Sequence, residues 1–490
     1  MGFQVALQPG NLSFCFIGVL IGTLVGVLPG LGPVAAISLL LPTTFHIPAV
    51  SAVIMLAGIY YGAMYGGSTT SILVNIPGEA ASVVTCLDGY QMARQGRAGP
   101  ALGIAAFASF IAGTLAVIGL MLVAPPLAEM ALRFGPPEYF SLMIVGLTIL
   151  TFLASGPMWK ALLMACFGLF LGCMGMDTIM GTVRFNFGLV EMSDGFGLVP
   201  VVMGLFGISE VLLNVEQTAQ RSIFETKVRN LLPTGGDWRD SIGAILRGSV
   251  IGFFLGILPG GGATISAFTA YALEKKASGH PEKFGQGAIA GVAAPEAANN
   301  AATGGAFIPL LTLGIPTTAT MAILLGALVI YGTKPGPMLI QEHPGLFWGV
   351  VASMYVGNFM LLVLNLPLIG LWVKVLKVPY PILFPLILLF CLIGAYSLNN
   401  STAQVLFMVF FGLLGYLFKK FQYEAAPLVL AFVLGPMLEK ALRRSLLHSS
   451  GDPSVFFTRP ISAVLLSIAF VLLIFPLIPR LKKKRPTFEE

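Results

Sequence analysis

The sequence predicts an all-α polytopic membrane protein. It reads as two inverted repeats with broken helices or re-entrant hairpins, plus an extra C-terminal transmembrane helix. Three observations lead there. Of 490 residues, 56% are hydrophobic and 10% charged, with a mean hydropathy of +0.90; soluble domains carry about 25% charged residues. Apolar segments of helical length recur to the end of the chain and are too long for barrel strands. One unusual pattern also occurs twice, as "GTLVGVLPGLGPVAA" from Gly22 and "GFFLGILPGGGATIS" from Gly252.

The repeat is justified element by element. At an offset of 230 residues, Gly18, Gly22 and Gly26 align with Gly248, Gly252 and Gly256. Leu28-Pro29-Gly30 aligns with Leu258-Pro259-Gly260, and Gly32 with Gly262. Small residues at every fourth position give a helix one face that another backbone can approach closely. The matches continue in order. Gly66-Gly67 precedes Asn75-Ile76-Pro77-Gly78, and Gly304-Gly305 precedes Gly314-Ile315-Pro316-Thr317. Gly99-Pro100 recurs as Gly336-Pro337, Phe167-Gly168-Leu169 as Phe411-Gly412-Leu413, and Pro200…Glu210 as Pro427…Glu439. These matches divide the chain into a first repeat (11–220), a basic linker (221–240), a second repeat (241–447), an additional helix (461–479) and a basic tail (480–490).

Charge sets the orientation, because basic residues gather at cytoplasmic ends. "RLKKKR" at Arg480–Arg485 places the C-terminus in the cytoplasm, and Arg221, Lys227, Arg229, Arg239 and Arg247 place the linker there. One crossing by the last helix then puts 443–459 outside, which makes the repeats inverted. Lys440, Arg443, Arg444 and Arg459 near the outer face run against this trend.

The uncharged stretch from Leu12 to Leu41 has 30 residues. As a straight helix it would measure about 45 Å, against about 30 Å of hydrocarbon. Its Pro-Gly break therefore puts irregular backbone at membrane depth, tolerated only in protein or beside a water-filled cavity. Broken helices turn N–H groups toward anions and free carbonyls toward cations. Paired breaks in two repeats point to a transporter's midplane site. The candidate substrate-binding residues are Pro29, Gly30 and Gly32 with Pro259, Gly260 and Gly262 at the breaks. Neutral donors and acceptors join them: Ser68, Thr69, Thr70, Asn75, Asn299, Asn300, Thr317 and Thr318. Glu79 and Glu296 adjoin these signatures and are candidate ion-coupling residues. The competing readings are helix packing for the glycines, a plain kink for the prolines and hydroxyl-to-backbone bonding for Ser and Thr. Asp88 opens a polar stretch with Arg94 and Arg97 that reads as a solvated loop. No buried arginine pair stands out for a di- or tricarboxylate.

Other chemistries find little support. The five cysteines read as small buried side chains; no CxxC occurs and the four histidines are scattered, so no metal and no cofactor are expected. Walker A and HExxH sequences are absent and the Ser/Thr cluster has no histidine near it, so neither ATP as direct energy source nor enzymatic activity is expected. A nucleic-acid partner is not expected, and nothing resembles the basic start of a signal peptide.

Four segments carry a family resemblance: "GVLPGLGP" at 26–33, "YGGSTTSILVNIPGEAAS" at 65–82, "GILPGGGATISAF" at 256–268 and "PEAANNAATGGAFIPLLTLGIPTTAT" at 295–320. Here the chain resembles the large membrane subunit of the tripartite tricarboxylate transporter family, over nearly its whole length. The resemblance implies a multi-pass protein of the bacterial inner membrane. It implies two partners, a small integral-membrane subunit and a periplasmic substrate-binding protein. It implies secondary transport of citrate-like tricarboxylates or related organic carboxylates, with Na⁺ or H⁺ as coupling ion. An ion or anion channel with a broken-helix selectivity region is the alternative.

Overall fold

The computed structural model describes residues 1–28, 32–153, 157–177, 179–216, 230–376 and 380–474. The expectations for Pro29, Gly30, residues 221–229 of the linker, residues 475–479 of the additional helix and the basic tail fall outside them. In chain order the main helices are α1 (Pro9–Val27), α2 (Gly32–Leu40), α3 (Ala49–Val74), α4 (Val83–Arg94), α5 (Ala98–Ala131), α6 (Pro136–Leu153), α7 (Met158–Gly172) and α8 (Leu198–Glu216). They continue as α9 (Gly235–Ile257), α10 (Gly262–Ala277), α11 (Ala290–Leu313), α12 (Ala319–Ile330), α13 (Pro344–Asn365), α14 (Tyr380–Asn399), α15 (Thr402–Lys420), α16 (Ala425–His448) and α17 (Pro460–Ile474). Among the described residues, eight helices are long and apolar enough to cross a membrane: α1, α3, α5, α8, α9, α13, α15 and α16.

The glycine faces explain how the helices meet. A Cβ on Gly18, Gly22 or Gly26 would lie 2.3, 2.5 or 2.2 Å from the carbonyl oxygens of Met55, Ile59 and Ala63. The backbones touch, and α1 and α3 run in the same direction. The second half repeats this: Gly248, Gly252 and Gly256 meet the carbonyls of Ala294, Ala298 and Ala302 at 2.4, 2.2 and 2.2 Å, so α9 runs alongside α11. In each half a short helix, α2 or α10, follows the break. The chain then re-enters the molecule at the start of α3 or α11, level with the outer end of α1 or α9. Each pair, α1–α2 and α9–α10, is therefore a hairpin that returns the chain to the side from which it came.

α3 and α11 form the centre, with nearly every residue from Ser51 to Leu73 and from Gly291 to Thr312 buried. They run antiparallel. The Tyr60 ring is tilted against that of Phe307 with centroids 6.3 Å apart, while Ser68 reaches Glu296 at 2.6 Å. The hairpins consequently return to opposite ends. At one end the Tyr331 hydroxyl, just after α12, donates to the Thr44 carbonyl at 2.6 Å. At the other, Asp88 of α4 accepts from the N–H groups of Gly285, Gly287 and Ala288 at 2.8–2.9 Å and from the Tyr271 hydroxyl at 2.9 Å. Asp88, expected in a solvated loop, is instead a buried clamp on α4.

The two sequence halves interleave. α5 packs on α11, where Ala116 meets Gly304, and α13 packs on α3, where Gly357 meets Tyr61. α7 lies on α16 with Gly168 against the Leu428 carbonyl, and α15 lies on α8 with Gly204 against the Met408 carbonyl. The antiparallel pair β1 (Gly175–Met176) and β2 (Val183–Arg184) follows α7. It is tied to α16 by Arg184 with Glu439 at 3.0 Å and Asp177 with Arg443 at 2.7 Å. The Arg443 guanidinium holds the Asp177 carboxyl down at about 2. The additional helix α17 packs on α6 through Ser462 and Ser141, 2.7 Å apart, and the Arg459–Glu138 pair at 3.0 Å.

Candidate carboxylate site

The breaks fold as they do because glycine permits them. Gly260 sits at φ +78°, a region costly for residues with a Cβ, and its N–H donates to the Thr317 carbonyl at 2.9 Å. That bond ties the tip of the second hairpin to the turn between α11 and α12. The equivalent turn after α3 presses Gly78 against Gly26 and Gly67. Both central helices end in the left-handed conformation, α3 at Asn75 (φ 58°) and α11 at Gly314 (φ 68°). Both turns then restart a helix with a side-chain cap. Glu79 accepts from the Ala81 N–H at 2.6 Å, and Thr318 from the Met321 N–H at 3.2 Å.

These turns bring several helix starts to one cavity of about 460 Å³. Its walls include Gly32–Ala35 of α2, Gly262–Ile265 of α10, and Thr317–Thr320 at the start of α12, with Glu79 and Ala80 beside them. Tyr60, Met64, Leu150 and Phe206 supply apolar wall, and Glu210, Lys419 and Glu424 line it as well. The starts of three helices, with the positive ends of their dipoles, thus meet at one space, which suits an anion. The Thr317 hydroxyl is buried here without a hydrogen-bond partner.

The candidates divide in two. Gly32, Gly260, Gly262, Thr317, Thr318 and Glu79 line the cavity. Pro259 stands behind it, its ring against Gly146 of α6. Ser68, Asn300 and Glu296 form a separate buried network. The Glu296 carboxylate accepts from Ser68 at 2.6 Å, Thr85 at 2.5 Å and Ser109 at 3.4 Å. Asn300 donates to Ser109 at 2.7 Å. Asn299 links this layer to the cavity by donating to Glu79 at 3.3 Å, and its own carbonyl oxygen is buried and unpartnered. Thr69 is buried beside Ser68. Thr70 donates to the Val27 carbonyl at 2.7 Å, satisfying the last turn of α1. Asn75 is exposed and lies outside the cavity wall; its backbone conformation explains its presence, since Asn tolerates the left-handed region better than other residues with a Cβ.

Sequence reasoning missed Thr85, Ser109, Glu210 and Lys419. Lys419 is the single basic residue among the described cavity-lining residues, and it pairs with Glu210. A larger cavity of about 840 Å³ lies between α7, α16 and the β-hairpin, and none of the sequence candidates lines it.

Comparisons with known proteins identify the family. The model of a family described as "Tripartite tricarboxylate transporter TctA family" matches residues 12–430. Two proteins of Agrobacterium vitis are similar. One, an "uncharacterized 52.8 kDa protein in TAR-I ttuC' 3'region", is 51% identical over 99% of this chain and 97% of its own length. Another, an "uncharacterized protein in TAR-II ttuC' 3'region", is 52% identical over 48% of this chain and 97% of its own length. No solved structure matches. The match to the family model over most of the chain establishes that this protein is a membrane transporter subunit of the tripartite tricarboxylate transporter TctA family.

Proposed function

We propose that the chain is the large transmembrane subunit of a binding-protein-dependent secondary transporter. It imports tricarboxylates or related organic carboxylates by cation symport. A small integral-membrane subunit and a periplasmic substrate-binding protein are its partners in the bacterial inner membrane. The observation that carries this reading is the convergence of the α2, α10 and α12 starts, with the unpartnered Thr317 hydroxyl, on one cavity. Main-chain N–H groups and a hydroxyl bind carboxylate without a buried countercharge.

Two observations support inverted repeats. α1 and α3 run one way, α9 and α11 the other, and equivalent helices make exchanged contacts across the halves. The end reached by α4, α10 and α15 carries Arg94, Arg97, Lys275, Lys276, Lys419 and Lys420. With the basic linker and tail it is the cytoplasmic end.

Cation coupling falls to Glu79 and Glu296. Both are buried, and neither has a Lys or Arg partner among the described residues. A buried carboxylate without a basic partner calls for a bound cation, Na⁺ or H⁺. Glu79 is in the cavity wall, so substrate and cation meet there.

The test is uptake of labelled citrate, malate and succinate into proteoliposomes holding this chain and the small subunit, with the binding protein outside. Uptake that needs the binding protein and an inward Na⁺ or proton gradient is expected. Carboxylate flux that needs neither sinks the symporter reading in favour of a channel.

A further inference from the structure

We propose that Lys419 selects polyvalent carboxylates: it takes a second carboxylate of the substrate, and Glu210 is the internal carboxylate that this group displaces. The inference rests on the reading of the cavity as a carboxylate site. The cavity has two chemically distinct ends. One is the cluster of helix starts with the buried, unpartnered Thr317 hydroxyl. The other is the Lys419–Glu210 ion pair, both members of which line the same space. A monocarboxylate is satisfied by the first end. A di- or tricarboxylate leaves a second negative group in a wall that already holds Glu79, Glu210 and Glu424. Among the described lining residues, only Lys419 offers it a positive partner.

The geometry also argues that Glu210 is there to be exchanged. α8 and α15 are tied twice by Lys–Glu pairs. Lys420 meets Glu216 at 2.6 Å, and Tyr416 donates to Glu216 at 2.9 Å. This second tie stays outside the cavity wall, and the close packing of Gly204 on Met408 and of Gly415 on Leu205 keeps the helices together when Lys419 changes partner. Lys419 and Glu210 are both partly exposed, 32% and 20% of their side chains, and such pairs contribute little to stability. Lysine, a point charge on a flexible stem, swings between acceptors where arginine would be held by bidentate geometry. Lys419 is thus neutralised by a carboxylate of the protein's own, which a substrate carboxylate replaces.

The test is equilibrium binding of citrate, succinate and butyrate to the purified full chain in detergent. The variants are Lys419→Gln, Glu210→Gln, Thr317→Val and the control Lys420→Gln, each first checked for a single monodisperse species. Lys419→Gln should weaken citrate and succinate by about tenfold or more, the loss of one charge-assisted contact, and leave butyrate unchanged. Glu210→Gln, which removes the competitor, should tighten citrate and succinate several-fold, and Lys420→Gln should match the wild type. Equal effects of Lys419→Gln and Lys420→Gln, or weaker citrate binding in Glu210→Gln, would overturn the proposal. Thr317→Val separates the two readings. If it weakens all three acids while Lys419→Gln spares them, the cavity stands and the role of Lys419 falls. If no variant, Thr317→Val included, alters binding, or the wild type binds none of the acids, both fall.

Discussion

Asn75 and Glu79 stand four positions apart in one signature, yet the structure gives them unrelated work. Asn75 ends α3 at φ 58°, where Gly314 ends α11 at φ 68°. A residue with a Cβ other than Asn pays about 1–2 kcal/mol for that conformation. Asn75→Gly should therefore match the wild type in thermal stability and uptake, and Asn75→Ala should lose about 1 kcal/mol of stability. If Asn75→Gly abolishes uptake while the protein stays folded, the amide binds substrate after all. Glu79 differs because its carboxylate both caps a helix turn and faces the cavity. Glu79→Gln keeps an oxygen to accept from the Ala81 N–H, so the turn should survive with a change within about 1 kcal/mol. The charge is lost, and with it the cation dependence of uptake. Measuring uptake against Na⁺ and pH decides the matter, and an unaltered dependence removes Glu79 from coupling. At this scale the sequence showed which residue types would gather, but not their partners. Thr317 and Thr318 were legible because they follow a break. Lys419 was not, because Glu210 lies 209 positions away and nothing local marks the pair.

At the scale of the element, the periodic glycines were the most legible feature, because a four-residue spacing has a direct geometric meaning on a helix. Both glycine faces do meet backbone. What the sequence left open was the fate of the chain after each break. A broken span and a hairpin share the same Pro-Gly signature. The difference lies in the direction of α3 relative to α1, a tertiary fact set by Met55, Ile59 and Ala63 carbonyls pressed on Gly18, Gly22 and Gly26. The same contacts give a sharp mutational contrast. A Cβ on Gly252 would sit 2.2 Å from the Ala298 carbonyl oxygen and 2.7 Å from its Cα, whereas a Cβ on Gly10 meets nothing within 4 Å. Rigid backbone on both sides has nowhere to move. Gly252→Val should cost at least about 1–3 kcal/mol of overpacking and cut the yield of folded protein, while Gly10→Ala should be silent. Size-exclusion profiles of the two variants check this, and a well-folded Gly252→Val would mean that α9 and α11 are not in backbone contact.

At the scale of the whole molecule, the repeat boundaries read from sequence do not mark two bodies. Each half supplies helices that the other half buries. α7 has its glycine face on α16 and α15 has its own on α8, while Gly304 of α11 meets Ala116 of α5. The cavity itself takes α2 and the Glu79 turn from the first half, and α10 and α12 from the second. Such interleaving was not visible in the sequence, since matched motifs along a chain do not give the order in which its segments pack. It has a consequence for assembly. A half alone would expose glycine faces whose packing partners are on the other half. In lipid these faces lack the close backbone packing that drives helix association, because lipid tails replace apolar contact but not that fit. Cutting the chain within 217–229, between α8 and α9, leaves the described helices of both halves whole. Co-expressed as separate polypeptides, 1–222 and 223–490 should therefore copurify and restore uptake, while each fragment alone should be degraded or aggregate. Affinity purification through a tag on one fragment reads the outcome. A stable, monodisperse 1–222 fragment that ignores its partner would mean that the halves are independent domains, and the shared cavity would then have no structural basis.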